Sequence, residues 1–273
     1  MLDRQGKIRD LSALLRDIDG STLERDTLAA LRALDPEALP LVSAPVRLGV
    51  PWTGMKKFIA VGLNYRAHAA EAGVPVPDQP VLFPKWTSCV NGPDDDVVIP
   101  YEGCKLDWEV ELGIVIGARA SNVSEQAALD HVAGYCVAND VSDRHYQFEG
   151  GAGQWGKGKG FDTFGPVGPY LVTADEVPNP QALDLWLKVD GETMQNSNTA
   201  DMVFDCAHLV SQCSRFMTLE PGDLIITGTP QGVGLGLKPP RFLRAGNVVS
   251  LGISGLGQQT QRIVSATSGA EQR

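Results

Sequence analysis

Three acidic residues, Asp107, Glu109 and Glu111, alternate with apolar residues at the start of a segment that runs to Ile116 and is rich in β-branched residues. This composition predicts a β-strand, in which alternate side chains point to one face and lie about 6.6 Å apart. Three carboxylates held this close repel one another, and their pKa values would rise without compensation. The pattern therefore requires a bound cation, a cluster of basic groups or open solvent.

A fourth carboxylate, Asp140, follows the apolar segment Val132 to Ala138, for which we predict another strand. A strand end fixes a residue, while the following loop leaves it open to a ligand. Glu109, Glu111 and Asp140 would supply only oxygen ligands, which suit Mg²⁺ or Mn²⁺, with Ca²⁺ behind, better than zinc or copper. From spacing alone, scattered surface acids are the alternative.

His68 and Glu71 stand three residues apart in a predicted short helix, Ala67 to Ala72, which Gly73 ends. This spacing puts both side chains on one face, where the carboxylate can orient the imidazole and stabilise its charge. Such a pair can act as a general base. A surface ion pair on a mobile loop is the alternative interpretation.

The glycine-rich stretch 150–160 carries Lys157 and Lys159 in an otherwise acidic protein. Its glycine spacing nearly matches a phosphate-binding loop, but Gly158 stands where that loop needs a Ser or Thr, and no helical pattern follows. We therefore expect it to place an ammonium group near the carboxylates rather than to bind a nucleotide.

The rest of the chain consists mainly of short apolar segments separated by Gly and Pro. Strands are predicted at Phe58 to Leu63, Val81 to Trp86, Tyr170 to Thr173, Leu185 to Val189, Leu224 to Pro230 and Asn247 to Ile253. Helices are predicted at Leu23 to Leu34, after a capping box of Ser21 and Glu24, at Gln126 to His131 and around Phe204 to Phe216. This arrangement indicates a β-rich α+β protein.

Two units are predicted along the chain. Residues 1–54 form a small N-terminal α/β module and connector, and residues 55–273 form the larger domain that contains the candidate site. The polar tail 265–273 is expected to be frayed.

The composition excludes several classes of protein. A net charge of −10 opposes nucleic-acid binding, and no apolar run approaches the roughly 20 residues of a membrane span. The five cysteines contain no Cys-x-x-Cys pair, so neither a disulfide framework nor a structural zinc site is predicted. The N-terminus has no signal-peptide pattern, and we expect a cytoplasmic protein.

Between residues 55 and 265, the chain resembles the fumarylacetoacetate hydrolase family. The resemblance rests on five motifs in the family's order: Gly62-Leu63-Asn64-Tyr65 before His68 and Glu71; Asp107 to Leu112; Asn139 to Ser142 with Arg144 and Gln147; Lys159 to Phe164 with Gly165-Pro166 and Gly168-Pro169; and Thr227 to Pro230 with Gly232-Val233-Gly234.

This resemblance implies a mixed β-roll catalytic domain and a homodimer or higher homo-oligomer. It also implies roles for the candidate residues: Glu109, Glu111 and Asp140 hold a divalent metal, Lys159 and Gln147 face the reacting carbonyls, and His68 and Glu71 form a dyad on a lid. Arg144, Thr229 and Tyr65 are candidates for substrate binding, although Arg144 suits a structural ion pair equally well.

Within the family, the chain looks most similar to the branch that cleaves 2,4-diketo-3-deoxy sugar acids of the L-rhamnose and L-fucose routes, although Gly160 and Gln231 depart from common family residues. The expected activity is Mg²⁺- or Mn²⁺-dependent hydrolysis of a carbon–carbon bond, giving pyruvate and a hydroxy acid such as lactate. One alternative is a decarboxylase or isomerase of a 2-keto diacid. Another is a non-catalytic sugar-acid binding protein, which would not need the base, lysine and carboxylates together.

Overall fold

The structure, a computed structural model, describes residues 1–43 and 45–266. Most of the predicted frayed tail, 267–273, lies outside the described residues. The strands are β1 Phe58–Gly62, β2 Val81–Lys85, β3 Val90–Asn91, β4 Val97–Ile99, β5 Leu106–Asp107, β6 Val110–Ile116, β7 Val132–Asn139, β8 Ser142–Asp143, β9 Gly165–Thr173, β10 Asp184–Val189, β11 Glu192–Asn198, β12 Leu224–Ile226, β13 Val248–Ile253 and β14 Gly257–Ser265. The α-helices are α1 Arg25–Arg32, α2 Arg66–Ala72, α3 Glu125–Ala128, α4 Gly156–Lys159 and α5 Cys206–Phe216.

The strands form two mixed sheets and a small ribbon, which confirms the predicted β-rich α+β class. The larger sheet has seven strands in the order β2-β1-β12-β6-β7-β9-β3, with β1–β12 and β3–β9 parallel. The second sheet has five strands in the order β11-β10-β13-β14-β4. Strands β5 and β8 pair separately as an antiparallel ribbon.

Strands β6 and β7 lie in the middle of the larger sheet, and every residue of both is buried. They are antiparallel, with Val110 opposite Asn139 and Glu111 opposite Ala138. Their nearly continuous apolar sequences suit strands that are covered on both faces. One end of this pair places the candidate carboxylates.

The two sheets share one hydrophobic core, to which Ile114 contributes from the larger sheet and Leu251 from the smaller. Polar contacts also join them. The buried Gln259 amide on β14 donates to the backbone oxygens of Val137 and Gly168, each at 2.8 Å. Because an unpaired buried amide is costly, these bonds fix how β14 lies against β7 and β9.

The predicted strand from Asp107 to Ile116 is interrupted. Asp107 belongs to β5 and pairs with Ser142 of β8, whereas β6 begins only at Val110. The expectation that Asp107 shares one strand face with the two glutamates is therefore wrong. The Asp107 carboxylate instead accepts hydrogen bonds from the backbone N–H groups of Gly234 and Leu235, at 2.7 and 2.9 Å.

Two helix predictions at the surface of the fold need correction. Helix α1 begins at Arg25, and the predicted capping box does not form, because the Ser21 hydroxyl donates to Asp19 at 2.6 Å. The predicted helix at Gln126 to His131 is a four-residue α-helix followed by a 3₁₀ turn. Short polar side chains that bond locally in a turn compete with capping, which explains the first difference.

Helix α5 matches its prediction closely. It begins at Cys206, two residues after the predicted start, because the Asp205 carboxylate caps it by accepting the His208 N–H at 2.8 Å. A side chain that satisfies a free N–H group at a helix start defines the first turn.

Residues 1–54 pack directly on the rest of the chain. Leu23 and Trp52 belong to the common core, and the Trp52 indole donates to the Gly222 oxygen at 2.9 Å. The segment combines α1 with two isolated β-bridges, Leu2 with Ile8 and Arg9 with Leu41. The domain boundary after residue 54 stays a prediction. Across the described residues, no helix is long and apolar enough to cross a membrane.

Candidate active site

Glu109, Glu111 and Asp140 converge at one end of the β6–β7 pair. Because Val110 lies opposite Asn139, Glu109 comes opposite Asp140, and the Asp140 N–H donates to the Glu109 backbone oxygen at 2.9 Å. Side chains that are opposite on antiparallel strands share a face. All three carboxylates are buried, and one oxygen from each lies within 4.8 Å of the others. The register of one strand pair therefore assembles the predicted oxygen cluster.

Two lysines reach this cluster from other elements. Lys159, the last residue of α4, contacts Glu109 at 2.7 Å and Asp140 at 2.8 Å through its ammonium group. Lys85, at the end of β2, contacts the other Asp140 oxygen at 2.7 Å. Both lysine side chains are almost completely buried. They supply the basic compensation that closely spaced carboxylates require.

The three carboxylates are not compensated equally. Burial disfavours the charged form of Glu109, but Lys159 and Arg144 outweigh that effect and lower its pKa. Burial, with the added repulsion of Asp140 and Glu109, instead raises the pKa of Glu111 well above its ordinary value. Among the described residues, the Glu111 carboxylate accepts one hydrogen bond, from the Gly228 N–H at 2.7 Å.

This imbalance fits a divalent cation. Three converging carboxylates form a hard oxygen site, which suits Mg²⁺ or Mn²⁺. A cation among them would relieve the repulsion at Glu111, which the neighbouring lysines leave least compensated. The residues present therefore fit a metal of this class.

Arg144 connects this cluster to a second buried carboxylate. Its guanidinium contacts Asp107 at 2.8 Å and Glu109 at 2.7 Å, and it donates to the Gln147 amide oxygen at 2.8 Å. Its Nη2 atom is buried and has no hydrogen-bond partner among the described residues. The structural ion pair is therefore present, and it holds the guanidinium between Asp107 and Glu109.

His68 and Glu71 pair as predicted on α2. His68 Nδ1 lies 3.0 Å from Glu71 Oε2, and the other Glu71 oxygen accepts the Gly232 N–H at 2.8 Å. A hydrogen bond from Nδ1–H to the carboxylate leaves the lone pair on Nε2 as the basic site. Helix α2 ends at Gly73, whose φ of 68° is a left-handed conformation that glycine adopts without strain.

A cavity of about 570 Å³ joins these groups. Its polar lining comprises His68, Glu71, Glu109, Glu111, Arg144, Gln147, Lys159, Thr229 and Lys238. The Thr229 hydroxyl already makes two hydrogen bonds within the protein: it donates to the Val110 backbone oxygen at 3.0 Å and accepts from the Gln195 amide at 2.8 Å. The candidate base therefore opens into the same space as two of the three clustered carboxylates, Glu109 and Glu111.

Three other residues are placed away from this cavity. Tyr65, proposed as a substrate contact, is fully buried outside the cavity lining, and its hydroxyl has no partner among the described residues. Lys157 is exposed, so only Lys159 of the two loop lysines joins the cluster. His145 pairs with Glu149 at the surface, 3.1 Å away.

Comparison with known proteins identifies the family. The family model for the fumarylacetoacetate (FAA) hydrolase C-terminal region matches residues 57–264. The chain belongs to the fumarylacetoacetate hydrolase family. A Burkholderia cenocepacia (strain HI2424) protein, named only provisionally as a hydrolase, is 60% identical over 263 residues, covering 96% of this chain and 93% of that relative.

Solved structures of the family carry both hydrolase and isomerase names. The fumarylacetoacetate hydrolase of Exiguobacterium antarcticum is 32% identical, with a TM-score of 0.81, over 96% of this chain and 94% of that one. The 5-carboxymethyl-2-hydroxymuconate delta-isomerase of Mycobacterium smegmatis is 38% identical, with a TM-score of 0.72, over 83% and 85%. Family membership therefore leaves the reaction type open.

Two parts of the site are not predicted from the sequence. Lys85 lies in a predicted strand and has no predicted role, although a buried lysine between apolar neighbours indicates a charged partner. The aromatic residues Phe83, Trp155 and Phe148 also line the cavity. They come from separate segments, so no local spacing joins them.

Proposed function

We propose that the protein is a metal-dependent hydrolase that cleaves a carbon–carbon bond of a 2,4-diketo acid and releases pyruvate. One observation carries the proposal: the His68–Glu71 pair opens into the same cavity as Lys159 and two of the carboxylates, Glu109 and Glu111. A hydrolase needs a base that activates water beside groups that stabilise negative charge, and this cavity offers both.

Glu109, Glu111 and Asp140 would hold the cation. A divalent ion there would act as a Lewis acid on the 2-keto end of the substrate and stabilise negative charge on it. Mg²⁺ is the proposed ion, with Mn²⁺ as the alternative, because the site consists of carboxylate oxygens.

Arg144 and Gln147 would orient the acidic end of the substrate. Arg144 lines the cavity, and its positive charge can attract the 1-carboxylate, since guanidinium groups pair strongly with carboxylates. The Gln147 side-chain oxygen accepts a hydrogen bond from Arg144. The side-chain nitrogen of Gln147 can then donate to a substrate carbonyl.

His68 would start the reaction by removing a proton from a water molecule as that water attacks the C4 carbonyl. Glu71 holds the imidazole through Nδ1 and stabilises the positive charge that forms. Lys159, whose charged form is favoured by Asp140 and Glu109, would donate a hydrogen bond to the oxyanion on C4.

Collapse of this oxyanion breaks the C3–C4 bond. The bonding electron pair moves to C3 and gives the enolate of pyruvate, while C4 leaves as a carboxylic acid that carries the oxygen from water. Protonation of C3, with the proton that His68 took from water, then gives pyruvate. One water molecule is consumed, and no oxidant or reductant is needed.

The first substrates to test are 2,4-diketo-3-deoxy-L-rhamnonate and the L-fuconate analogue, which would give pyruvate and lactate. Both have the carboxylate, the 2-keto group and the C4 carbonyl that these residues require. A homodimer, which the family resemblance implies, is part of the same proposal and can be checked by light scattering of the purified protein.

An isomerase or decarboxylase of a 2-keto diacid is the second candidate. It is favoured by the structural similarity to the 5-carboxymethyl-2-hydroxymuconate delta-isomerase of Mycobacterium smegmatis. Such a reaction needs the stabilised enolate but no attacking water, so the His68–Glu71 pair would be less important.

The test is to incubate the purified protein and Mg²⁺ with a panel of 2,4-diketo acids and to quantify pyruvate and the second acid. We expect equal amounts of both, loss of activity after chelation and recovery when Mg²⁺ returns. A rearranged product that retains every carbon, or loss of CO₂ alone, would favour the second candidate.

A further inference from the structure

An aromatic wall, defined here as Phe83, Trp155 and Phe148, extends from the reaction centre to the surface. The Lys159 ammonium lies 5.5 Å from the centre of the Phe83 ring. The Phe83 and Trp155 rings meet edge to face at 5.4 Å, and Trp155 meets Phe148 in the same way at 5.9 Å. The three rings are therefore continuous.

Exposure increases along this wall. Phe83 is 8% exposed, whereas Phe148 is 50% exposed although its side chain is large and apolar. Trp155 is held in place by close packing, because a Cβ atom on Gly62 would lie only 2.3 Å from its ring. This packing fixes the position of the middle ring of the wall.

Other apolar side chains line the cavity with the aromatic wall. Val74, after α2, and Leu235 and Leu237, at the 3₁₀ turn after β12, belong to the same lining. Apolar surfaces of this kind gain free energy by covering apolar ligand atoms and offer few partners for hydroxyl groups. Lys238 also lines the cavity and is exposed. Its positive charge would favour a ligand with an acidic group at this end of the cavity over a purely apolar one.

We propose that the substituent beyond C4 of the substrate is an apolar alkyl or aryl group that packs along the aromatic wall. This inference rests on the proposed function, which places the 2-keto end of the substrate at the carboxylate cluster and the oxyanion on C4 beside Lys159. The Phe83 ring, whose centre lies 5.5 Å from the Lys159 ammonium, is then the first part of the wall beside C4. A hydroxyethyl group, as in the two sugar acids named as first tests, would leave most of the wall uncovered, so these compounds should be cleaved less efficiently than the alkyl and aryl ones.

The experiment compares kcat/KM for 2,4-diketo acids that differ only beyond C4: methyl, pentyl, phenyl, hydroxyethyl and carboxyethyl. Each buried methylene should raise kcat/KM about fourfold, so burial of two of the four extra methylenes is enough for the pentyl compound to exceed the methyl compound by at least about tenfold. In Phe148→Ser and Trp155→Ala, the pentyl-to-methyl ratio should fall. Phe216→Ser is the matched control, since Phe216 is 68% exposed and does not line the cavity, and it should keep the wild-type ratio.

A flat chain-length series, or a preference for the hydroxyethyl or carboxyethyl compound, overturns the inference while pyruvate release still supports the hydrolase. If no compound releases pyruvate, a binding measurement still tests the apolar substituent separately from the hydrolase activity. Simple 2-keto acids with the same tails cannot be cleaved, because they lack the C4 carbonyl. Their dissociation constants, measured by calorimetry, should decrease as the tail lengthens in the wild type, and should decrease less in Phe148→Ser. An equal decrease in both proteins overturns the inference.

Discussion

At the scale of single residues, the carboxylate cluster shows which side chain a bound cation would stabilise most. Glu109 and Asp140 each have both oxygens in contact with buried cationic groups, whereas Glu111 has the Gly228 N–H as its hydrogen-bond donor. The repulsion that the sequence predicted for adjacent carboxylates is thus concentrated at one residue. Replacement of Glu111 should therefore affect metal binding more than folding.

Glu111→Gln should weaken Mg²⁺ binding by at least about tenfold, since even groups behind the ligands commonly contribute that much. Its metal-free form should be no less stable than the metal-free wild type, because glutamine keeps an acceptor for Gly228 and removes a repelled charge. Calorimetric titration and urea unfolding check these outcomes, with Asp162→Asn, an exposed acid, as the control. Unchanged Mg²⁺ affinity would remove Glu111 from the metal site.

His68→Ala should lower kcat by about 10² to 10⁴, the range that general-base catalysis contributes. Mg²⁺ affinity should stay unchanged, because His68 contacts Glu71 rather than supplying an oxygen ligand. His145→Ala is the matched control, since His145 also pairs with a glutamate but lies at the surface. Full turnover by His68→Ala would favour the isomerase or decarboxylase.

At the scale of elements, the site depends on how two short helices pack. Gly158 of α4 lies against the π-helix His145–Glu149. A Cβ atom on Gly158 would be 2.5 Å from the backbone oxygen of Asp143 and 2.5 Å from the backbone nitrogen of Gln147. Glycine is therefore required at this position. The contact holds Lys159 and Gln147, which belong to different segments, beside the same cavity.

Gly158→Ala should separate these helices and lower both stability and activity. Forcing a methyl group into a packed interior typically costs about 1 to 3 kcal/mol, and Lys159 would move with its helix. Urea unfolding and steady-state kinetics measure the two effects. Gly49→Ala is the control, because a Cβ atom there would have its nearest neighbour at 3.9 Å. A variant as active and stable as Gly49→Ala would contradict this packing role.

The sequence predicted most strands because their apolar β-branched runs are local patterns. It did not predict the break between Asp107 and Val110, because the cause lies far along the chain. Gly234 and Leu235 donate to the Asp107 carboxylate, and Arg144 contacts it from a third segment. Spacing within one strand carries no information about such partners.

At the scale of the whole molecule, the candidate metal site joins segments that are distant in sequence. Lys85 on β2, Glu109 beside β6, Asp140 after β7 and Lys159 on α4 meet in one buried cluster. The family motifs allowed the carboxylates and Lys159 to be predicted. Lys85 and the aromatic wall could not be predicted as parts of the same site, because only the folded sheet brings these segments together.

A bound cation should therefore stabilise the whole fold. Ligand at about one hundred times its dissociation constant adds about 2.7 kcal/mol to the free energy of unfolding, and Tm should rise by several degrees. The rise should be absent in Asp140→Asn, which loses a ligand oxygen. Scanning calorimetry with Mg²⁺ and with a chelator checks this, and an equal rise in Asp140→Asn would place the bound ion elsewhere.

Cleavage in water enriched in oxygen-18 tests the central claim most directly. If the protein hydrolyses a 2,4-diketo acid, the carboxylic acid formed from C4 should gain one labelled oxygen per turnover, and pyruvate should form in equal amount. Mass spectrometry of both products, quenched early to limit exchange of the ketone oxygens, measures this. Products without label in the new carboxylate, or a keto acid that retains all its carbons, would contradict hydrolysis.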